Sequence, residues 1–97
     1  MTPYLATTLR FVRQATRDLT QRQIAVLGLL VEEPDAAHTV RGMAERLAMQ
    51  KPNVTRTMDR LIELGFAQRV EDARDRRSVF LRATPVGVRF WWGGVKL

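Results

Sequence analysis

The chain has 97 residues and a mass of 11.1 kDa, enough for one domain with a single hydrophobic core. Its apolar fraction of 45% is that of a globular protein, and it contains no apolar run of about 18 residues that could span a membrane. The first ten residues lack the basic start and apolar stretch of a secretory signal, so we expect a cytoplasmic protein. Without cysteine, the chain forms no disulfide bond and no thiolate metal site.

The positive charge is unevenly distributed along the chain. The net charge of +6 favours polyanionic partners. Between Lys51 and Arg82, eight basic residues stand against five acidic ones, whereas the stretch Gln23–Gln50 is net acidic. We therefore expect the basic surface of the domain in its C-terminal half.

Three helices are predicted before residue 48. Residues Tyr4–Arg17 carry apolar side chains at spacings of three and four, which is typical of an amphipathic helix. Thr20 and Gln23 have the spacing of a capping box and begin a second helix. Pro34 ends that helix, because the residue before a proline disfavours the helical conformation. Thr39 is the predicted N-cap of a short third helix.

A fourth helix is predicted over Lys51–Leu64, after a break of three residues. Pro52 is compatible with its first turn, and Gly65 is a natural end. Its predicted buried stripe consists of Val54, Met58 and Leu61. Two helices joined by so short a turn form a helix-turn-helix unit.

Beyond Gly65 the pattern changes from helix to strand. Residues Phe66–Glu71 and Ser78–Ala83 have strand length and carry β-branched or aromatic side chains. The segment between them, Asp72–Arg77, is rich in charged residues. These features predict a β-hairpin with a charged tip, which we call the wing (residues 72–77).

A last helix completes the predicted fold. Thr84 is its expected N-cap and Pro85 its first residue. The chain as a whole, residues 1–97, is expected to form one mainly α domain with a small β-hairpin. This is a winged helix-turn-helix of order α-α-α-α-β-β-α, in which residues 1–18 and 84–97 are flanking helices.

The residue types that face outward on the fourth helix are those that contact DNA. They are Lys51, Pro52, Asn53, Thr55, Arg56 and Arg60. Asparagine can form two hydrogen bonds with adenine, arginine can do so with guanine O6 and N7, and the threonine methyl group can touch that of thymine. In helix-turn-helix proteins the first residues of the second helix contact base edges. We therefore predict that this helix reads the major groove, although a solvated helix face is the alternative.

The wing carries three arginines, Arg74, Arg76 and Arg77. Arginines beside a recognition helix can lie along phosphates or enter a narrow minor groove, although a charged loop is usually just solvated. Asp59 would be repelled by phosphates, so we predict that it pairs with an arginine of the hairpin and fixes the wing. An ordinary surface pair is the alternative. Further candidates for phosphate contact near helix starts are Gln21, His38, Thr39 and Arg41.

Six segments of the sequence together carry a family resemblance. They are LTQRQIAVL at 19–27, MAERL at 43–47, KPNVTRTMDRL at 51–61, LGFAQR at 64–69, DARDRR at 72–77 and TPVG at 84–87. In this order and with these gaps, the chain resembles the multiple-antibiotic-resistance regulator (MarR) family of bacterial winged helix-turn-helix proteins. The resemblance covers about residues 19–87.

The resemblance implies a transcriptional regulator, commonly a repressor. Such a regulator binds a pseudo-palindromic operator in double-stranded DNA as a homodimer and often responds to a small phenolic or lipophilic effector. By position, Asn53, Thr55 and Arg56 match places that contact bases or backbone. Arg77 matches the wing arginine of the family's Asp-x-Arg pattern, and Asp59 matches its partner on the recognition helix.

The sequence departs from the family pattern in three places. Gln50 stands where a Ser cap is frequent and Ala48 where a Gly is common, so we expect a less rigidly capped turn. Family members also usually have a further C-terminal helix that completes the dimer interface and the ligand pocket. We expect either dimerisation through Tyr4–Arg17 and the aromatic cluster Phe90–Trp92, or a truncated or divergent form. Those aromatic residues could equally be ordinary core.

Other classes of function have little support. One histidine and no cysteine leave no catalytic set to name, and no side chains have metal-ligand spacing. We therefore expect neither an enzyme nor a bound cofactor or metal. The remaining alternative is a winged helix that acts as a protein-interaction module, or as an architectural DNA-binding protein without sequence preference.

Overall fold

The computed structural model describes residues 1–14, 18–74 and 79–93. Its elements are α1 (Pro3–Gln14), α2 (Gln21–Glu32), α3 (Val40–Leu47), α4 (Lys51–Glu63), β1 (Ala67–Glu71), β2 (Val79–Ala83) and α5 (Pro85–Trp91). This order confirms the predicted winged helix-turn-helix fold. Within the described ranges, every helix is too short or too polar to cross a membrane.

Threonine caps fix the starts of three helices. Thr20 accepts a hydrogen bond from the Gln23 N–H at 3.1 Å, and the Gln23 side chain accepts one from the Thr20 N–H at 3.0 Å. Thr39 and Thr84 begin α3 and α5, and each accepts a 3.0 Å hydrogen bond from the backbone N–H three residues later. These side chains satisfy N–H groups that have no partner inside a helix.

The turn between α3 and α4 depends on a strained backbone conformation. Ala48 lies in the left-handed region, with φ 51° and ψ 43°. The Gln50 carbonyl then accepts hydrogen bonds from the N–H groups of Asn53 and Val54 at 3.0 and 3.1 Å, which starts α4. Among the described residues, the Gln50 side chain contributes no cap to this helix.

Phe66 joins the end of α4 to the hairpin and to α5. Its N–H donates to the Leu61 carbonyl, and its carbonyl accepts from the Thr84 N–H, both at 2.9 Å. Its ring stacks on Phe90, with the ring centroids 4.5 Å apart. Gly65 precedes it with φ 81°, a conformation that ends the helix at low steric cost.

The hairpin pairs β1 with β2 in antiparallel register, from Ala67 opposite Ala83 to Glu71 opposite Val79. The Leu81 N–H also donates to the His38 carbonyl at 2.9 Å, so the loop before α3 adds an isolated bridge to the sheet. The sequence did not predict this bridge. It ties the hairpin directly to the helix-turn-helix unit.

Helix α1 docks on the C-terminal end of α5. The Phe11 ring lies 5.3 Å from the rings of both Phe90 and Trp91. The Arg10 guanidinium donates to the Trp91 carbonyl at 2.6 Å, and the Gln14 side chain donates to the Phe90 carbonyl at 3.3 Å. These donors add hydrogen bonds from α1 to carbonyl groups at the C-terminal end of α5. The aromatic residues Phe90 and Trp91 are therefore core.

We predict that Ala48→Gly stabilises the protein. The left-handed conformation destabilises an L-residue by about 1–2 kcal/mol, and glycine removes this cost. Glycine also raises the conformational entropy of the unfolded chain, which cancels part of the gain. We expect a net gain of about 0.5–1 kcal/mol in the free energy of unfolding, which urea denaturation can measure.

The matched control is Gly65→Ala, which introduces the same strain. No heavy atom lies within 4 Å of a Cβ built at Gly65, so the loss should be conformational and of similar size with opposite sign. Equal stability of Ala48→Gly and the parent chain would show that the left-handed turn carries no strain.

Candidate nucleic-acid interface

Helix α4 buries one side and exposes the other. Its buried residues are Val54, Thr57, Met58 and Leu61, which pack into the core below the helix. Lys51, Pro52, Thr55 and Arg56 are exposed, and Asn53 is half-buried. The residues predicted to read a groove thus lie around one solvent-facing surface at the start of α4.

Two of these residues form a hydrogen-bonded pair. The Arg56 guanidinium donates to the Asn53 side-chain oxygen. The backbone carbonyl of Asn53 also accepts from the Thr57 hydroxyl at 2.9 Å, as frequently occurs for a threonine inside a helix. The side chains of Asn53 and Arg56 are therefore arranged together rather than separately.

Other arginines around α4 are paired with carboxylates. Arg60 lies 3.1 Å from Glu63 one turn later, and its side chain is only 30% exposed. Arg69 of β1 pairs with Asp59. Neither Lys51 nor Arg56 takes part in a salt bridge within the described part of the chain. Their positive charge adds to that of the helix N-terminus, so the start of α4 is electropositive.

The Asp59–Arg69 pair links β1 of the hairpin to α4. Both side chains are about half exposed, at 54% and 53%. Thr55 also lines a small groove with Arg69 and Val79, so the exposed side of α4 continues onto the hairpin. The residue pattern predicted an arginine of the hairpin as the partner of Asp59, and the family resemblance implied Arg77, which lies outside the described residues.

A local hydrogen bond turns the described part of the wing, in which Asp72 is half-buried. The Asp72 side chain accepts from the Arg74 N–H at 2.9 Å, and the Arg74 side chain is exposed. Arg76, another predicted contact, lies outside the described residues with Arg77. The surface formed by the start of α4 therefore extends at least to the base of the wing.

The predicted phosphate contacts near the helix starts have other partners. The Thr39 hydroxyl caps α3, and Arg41 lies 3.6 Å from Glu45 on the same helix. His38 is buried, and its Nε2 donates to the Glu33 carbonyl at 2.7 Å. The Gln21 side chain donates to the Tyr4 hydroxyl at 3.1 Å.

Sequence reasoning missed two residues of this surface. Glu63 follows Arg60 by three residues, a spacing at which side chains on a helix meet, so this pair was visible in the sequence. Arg69 was not visible, because its contact with Asp59 depends on how β1 packs against α4. Within the described ranges, no three histidine, cysteine, aspartate or glutamate side chains are grouped to hold a metal ion.

A model of the MarR family matches residues 17–78 of the chain. Among solved structures, the complex of Staphylococcus aureus MepR with DNA has 21% identity and a TM-score of 0.76, and the match covers 92% of this chain and 69% of that one. The PcaV transcriptional regulator of Streptomyces coelicolor, solved with its natural ligand, has 29% identity and a TM-score of 0.70, with coverage of 92% and 62%.

A third similar structure is a mutant of Lactococcus lactis ZitR, with 23% identity and a TM-score of 0.70. That match covers 92% of this chain and 66% of the ZitR chain. The chain thus spans roughly two thirds of the length of the structures that it resembles. No curated protein sequence matches it.

We predict a weak coupling between Asp59 and Arg69. Half-exposed ion pairs contribute about 1 kcal/mol or less, and salt screens them. A double-mutant cycle of Asp59→Ala and Arg69→Ala, followed by urea denaturation, should therefore give a coupling below about 1 kcal/mol that falls further at high salt. The more exposed pair Arg41–Glu45 is the control and should give a smaller value. A coupling of several kcal/mol would contradict this view of the pair.

Proposed function

The chain belongs to the MarR family of DNA-binding transcriptional regulators, and we propose that it is a sequence-specific repressor of a double-stranded DNA operator. The observation that carries the proposal is the surface at the start of α4. There, Lys51 and Arg56 are exposed and lie outside the described salt bridges, beside the half-buried Asn53 and exposed Thr55. These are the residue types that contact phosphates and base edges.

The packing of the hairpin supports a docking mode. Helix α4 enters the major groove, and the wing (residues 72–77) lies on the minor groove or the backbone beside it. The Asp59–Arg69 pair and the groove that Thr55 shares with Arg69 and Val79 place α4 beside the two strands that carry the wing. MepR, whose fold this chain shares, is solved in complex with DNA, which supports the same use of the fold.

Exposed apolar residues support a homodimer. Tyr4, Leu5 and Val12 of α1 are 68%, 45% and 65% exposed, and Trp92 after α5 is 60% exposed. An amphipathic helix with such residues suits an interface between copies of the chain. Two recognition helices related by a two-fold axis would contact half-sites about 10 base pairs apart, which agrees with a pseudo-palindromic operator.

A groove between α1, α2 and α5 supports an effector. Its volume is about 620 Å³, within the range of small-molecule sites. Its wall includes Tyr4, Phe11, Ile24 and Trp91, so a small apolar or aromatic molecule would fit its chemistry. PcaV was solved with its natural ligand and MepR with ethidium bromide, which supports a ligand-responsive regulator.

We predict that DNA binding weakens steeply with salt and that Lys51→Ala reduces this dependence. Each phosphate contact contributes about 0.9 to the slope of log affinity against log salt concentration. The variant should therefore lose affinity for specific and random duplexes alike and show a slope smaller by about one contact. Fluorescence anisotropy over a salt series measures both quantities.

The matched control is Arg89→Ala, which removes an exposed positive charge on α5. It should leave the slope unchanged. Binding of no duplex, even at low salt, would favour the protein-interaction module instead. Equal affinity for all duplexes would favour an architectural protein.

We predict that Val12→Asp dissociates the dimer. Because Val12 is 65% exposed within one chain, an aspartate there leaves the fold intact but places a charge in the proposed interface. Sedimentation equilibrium should then give the monomer mass of 11.1 kDa. The control Val79→Asp changes a 43% exposed valine on β2 and should leave the mass of the dimer. A dimer that survives Val12→Asp would remove α1 from the interface.

A further inference from the structure

The pair formed by Asn53 and Arg56 changes what each residue can recognise. Both lie in the first two turns of α4, three residues apart, so their side chains lie on neighbouring parts of the exposed surface. The Arg56 guanidinium donates to the Asn53 side-chain oxygen. Both residues of this contact could reach a base edge. Arg56 thus has a neutral partner, whereas Arg60 and Arg69 near α4 have carboxylate partners.

An asparagine that reads adenine needs its amide oxygen. The amide NH₂ group donates to adenine N7, while the amide oxygen accepts from the adenine N6 amino group. In this structure the Asn53 oxygen already accepts from a cation. Its second lone pair remains, but the neighbouring guanidinium repels the positively polarised hydrogens of an amino group. The outward groups of the pair are therefore hydrogen-bond donors: the Asn53 NH₂ group and the remaining N–H groups of Arg56.

A surface of donors with a positive charge matches guanine. In the major groove guanine presents two acceptors, O6 and N7, whereas adenine presents one acceptor and one donor. Arg56 keeps its full charge for this contact because Asn53 is neutral. Arg60 and Arg69, by contrast, have carboxylate partners that offset their charge.

The pair also restricts the arginine before DNA arrives. A free arginine side chain loses rotamer entropy when it is fixed, and a partner that holds it beforehand reduces this cost at the moment of binding. A hydrogen bond from a neutral amide does this without reducing the positive charge.

We propose that Asn53 and Arg56 form one unit that reads guanine in the operator. Arg56 contacts guanine O6 and N7, and Asn53 is a positioning residue that holds the guanidinium and does not read adenine by itself. This inference rests on the proposed function, since it assigns the base that the DNA-binding surface prefers.

The first test is a selection of duplexes from random DNA by the whole chain, followed by affinity measurements on single-base changes. One guanine in each half-site should be required by the parent chain, and its replacement by adenine should weaken binding roughly five- to 150-fold. Replacement by 7-deazaguanine, which lacks the N7 acceptor but pairs normally, should also weaken binding. Arg56→Ala should lose this discrimination, and Arg56→Lys should weaken it, since lysine keeps the charge but not the planar fork.

The second test separates positioning from a structural role of Asn53. Asn53→Ala and Arg56→Ala should relax preference at the same base pair, and the double variant should lose little more than Arg56→Ala alone. Asn53→Asp retains an acceptor for Arg56, and an acidic residue is favourable in the first turn of a helix. We therefore expect Asn53→Asp to keep or raise the thermal stability while it lowers affinity for the guanine-containing duplex. Arg89→Ala, which removes an exposed charge on α5 outside this surface, is the control and should leave the guanine preference unchanged.

The outcomes distinguish the two levels of the proposal. A required adenine whose preference is lost in Asn53→Ala but kept in Arg56→Ala would overturn the paired readout and leave the regulator intact. Full guanine preference in Arg56→Ala would also overturn it, because the group that reads guanine would then lie elsewhere on the surface. Failure of every duplex to bind or be enriched at low salt would instead overturn the proposed function itself.

Discussion

The position of the recognition surface depends on Phe66. Its N–H donates to the Leu61 carbonyl at the end of α4, its carbonyl accepts from the N–H of Thr84, the N-cap of α5, and its ring stacks on Phe90. A Cβ at Gly87 would lie 2.2 Å from the Phe66 carbonyl oxygen, so α5 approaches as closely as the backbone allows. One residue thus fixes where the recognition helix ends, where the hairpin begins and where the last helix packs. Because such interiors are close-packed, the positions of these three elements depend on one another.

The exposed surface then follows from how its charges are partitioned. Arg60 and Arg69 form ion pairs with Glu63 and Asp59. The carboxylates offset the positive charge of these two arginines, so the pairs add contacts to the surface but little net charge. At the start of α4, Arg56 donates a hydrogen bond to the neutral Asn53. This contact orders the Arg56 side chain without offsetting its positive charge. The carboxylates therefore lie in the later turns of α4, while the helix N-terminus remains positive. The first turn of α4 is therefore available to contact a polyanion, while its later turns contact the hairpin.

The sequence determined the helices and their order by itself, because the interactions that begin and end a helix are local. The caps at Thr20, Thr39 and Thr84 and the stop at Gly65 each act within a few residues, and the structure has all four. The buried stripe of α4 also follows from helical period alone, and it determined which residues of the candidate surface face solvent. The pairing of Arg60 with Glu63 also follows from their three-residue spacing on a helix, although that pair was not predicted.

Only the tertiary structure decided which distant residues meet. The bridge from His38 to Leu81 joins residues that are far apart in the sequence, and the docking of Phe11 on the aromatic end of α5 joins the two ends of the described chain. In the same way, the hairpin partner observed for Asp59 is Arg69, at the base of the hairpin. Such contacts depend on the angle at which packed elements cross, and this angle is set by the shapes of all the side chains between them rather than by any local pattern. The sequence therefore specified the parts of the surface, and the packing of the core specified how those parts are joined.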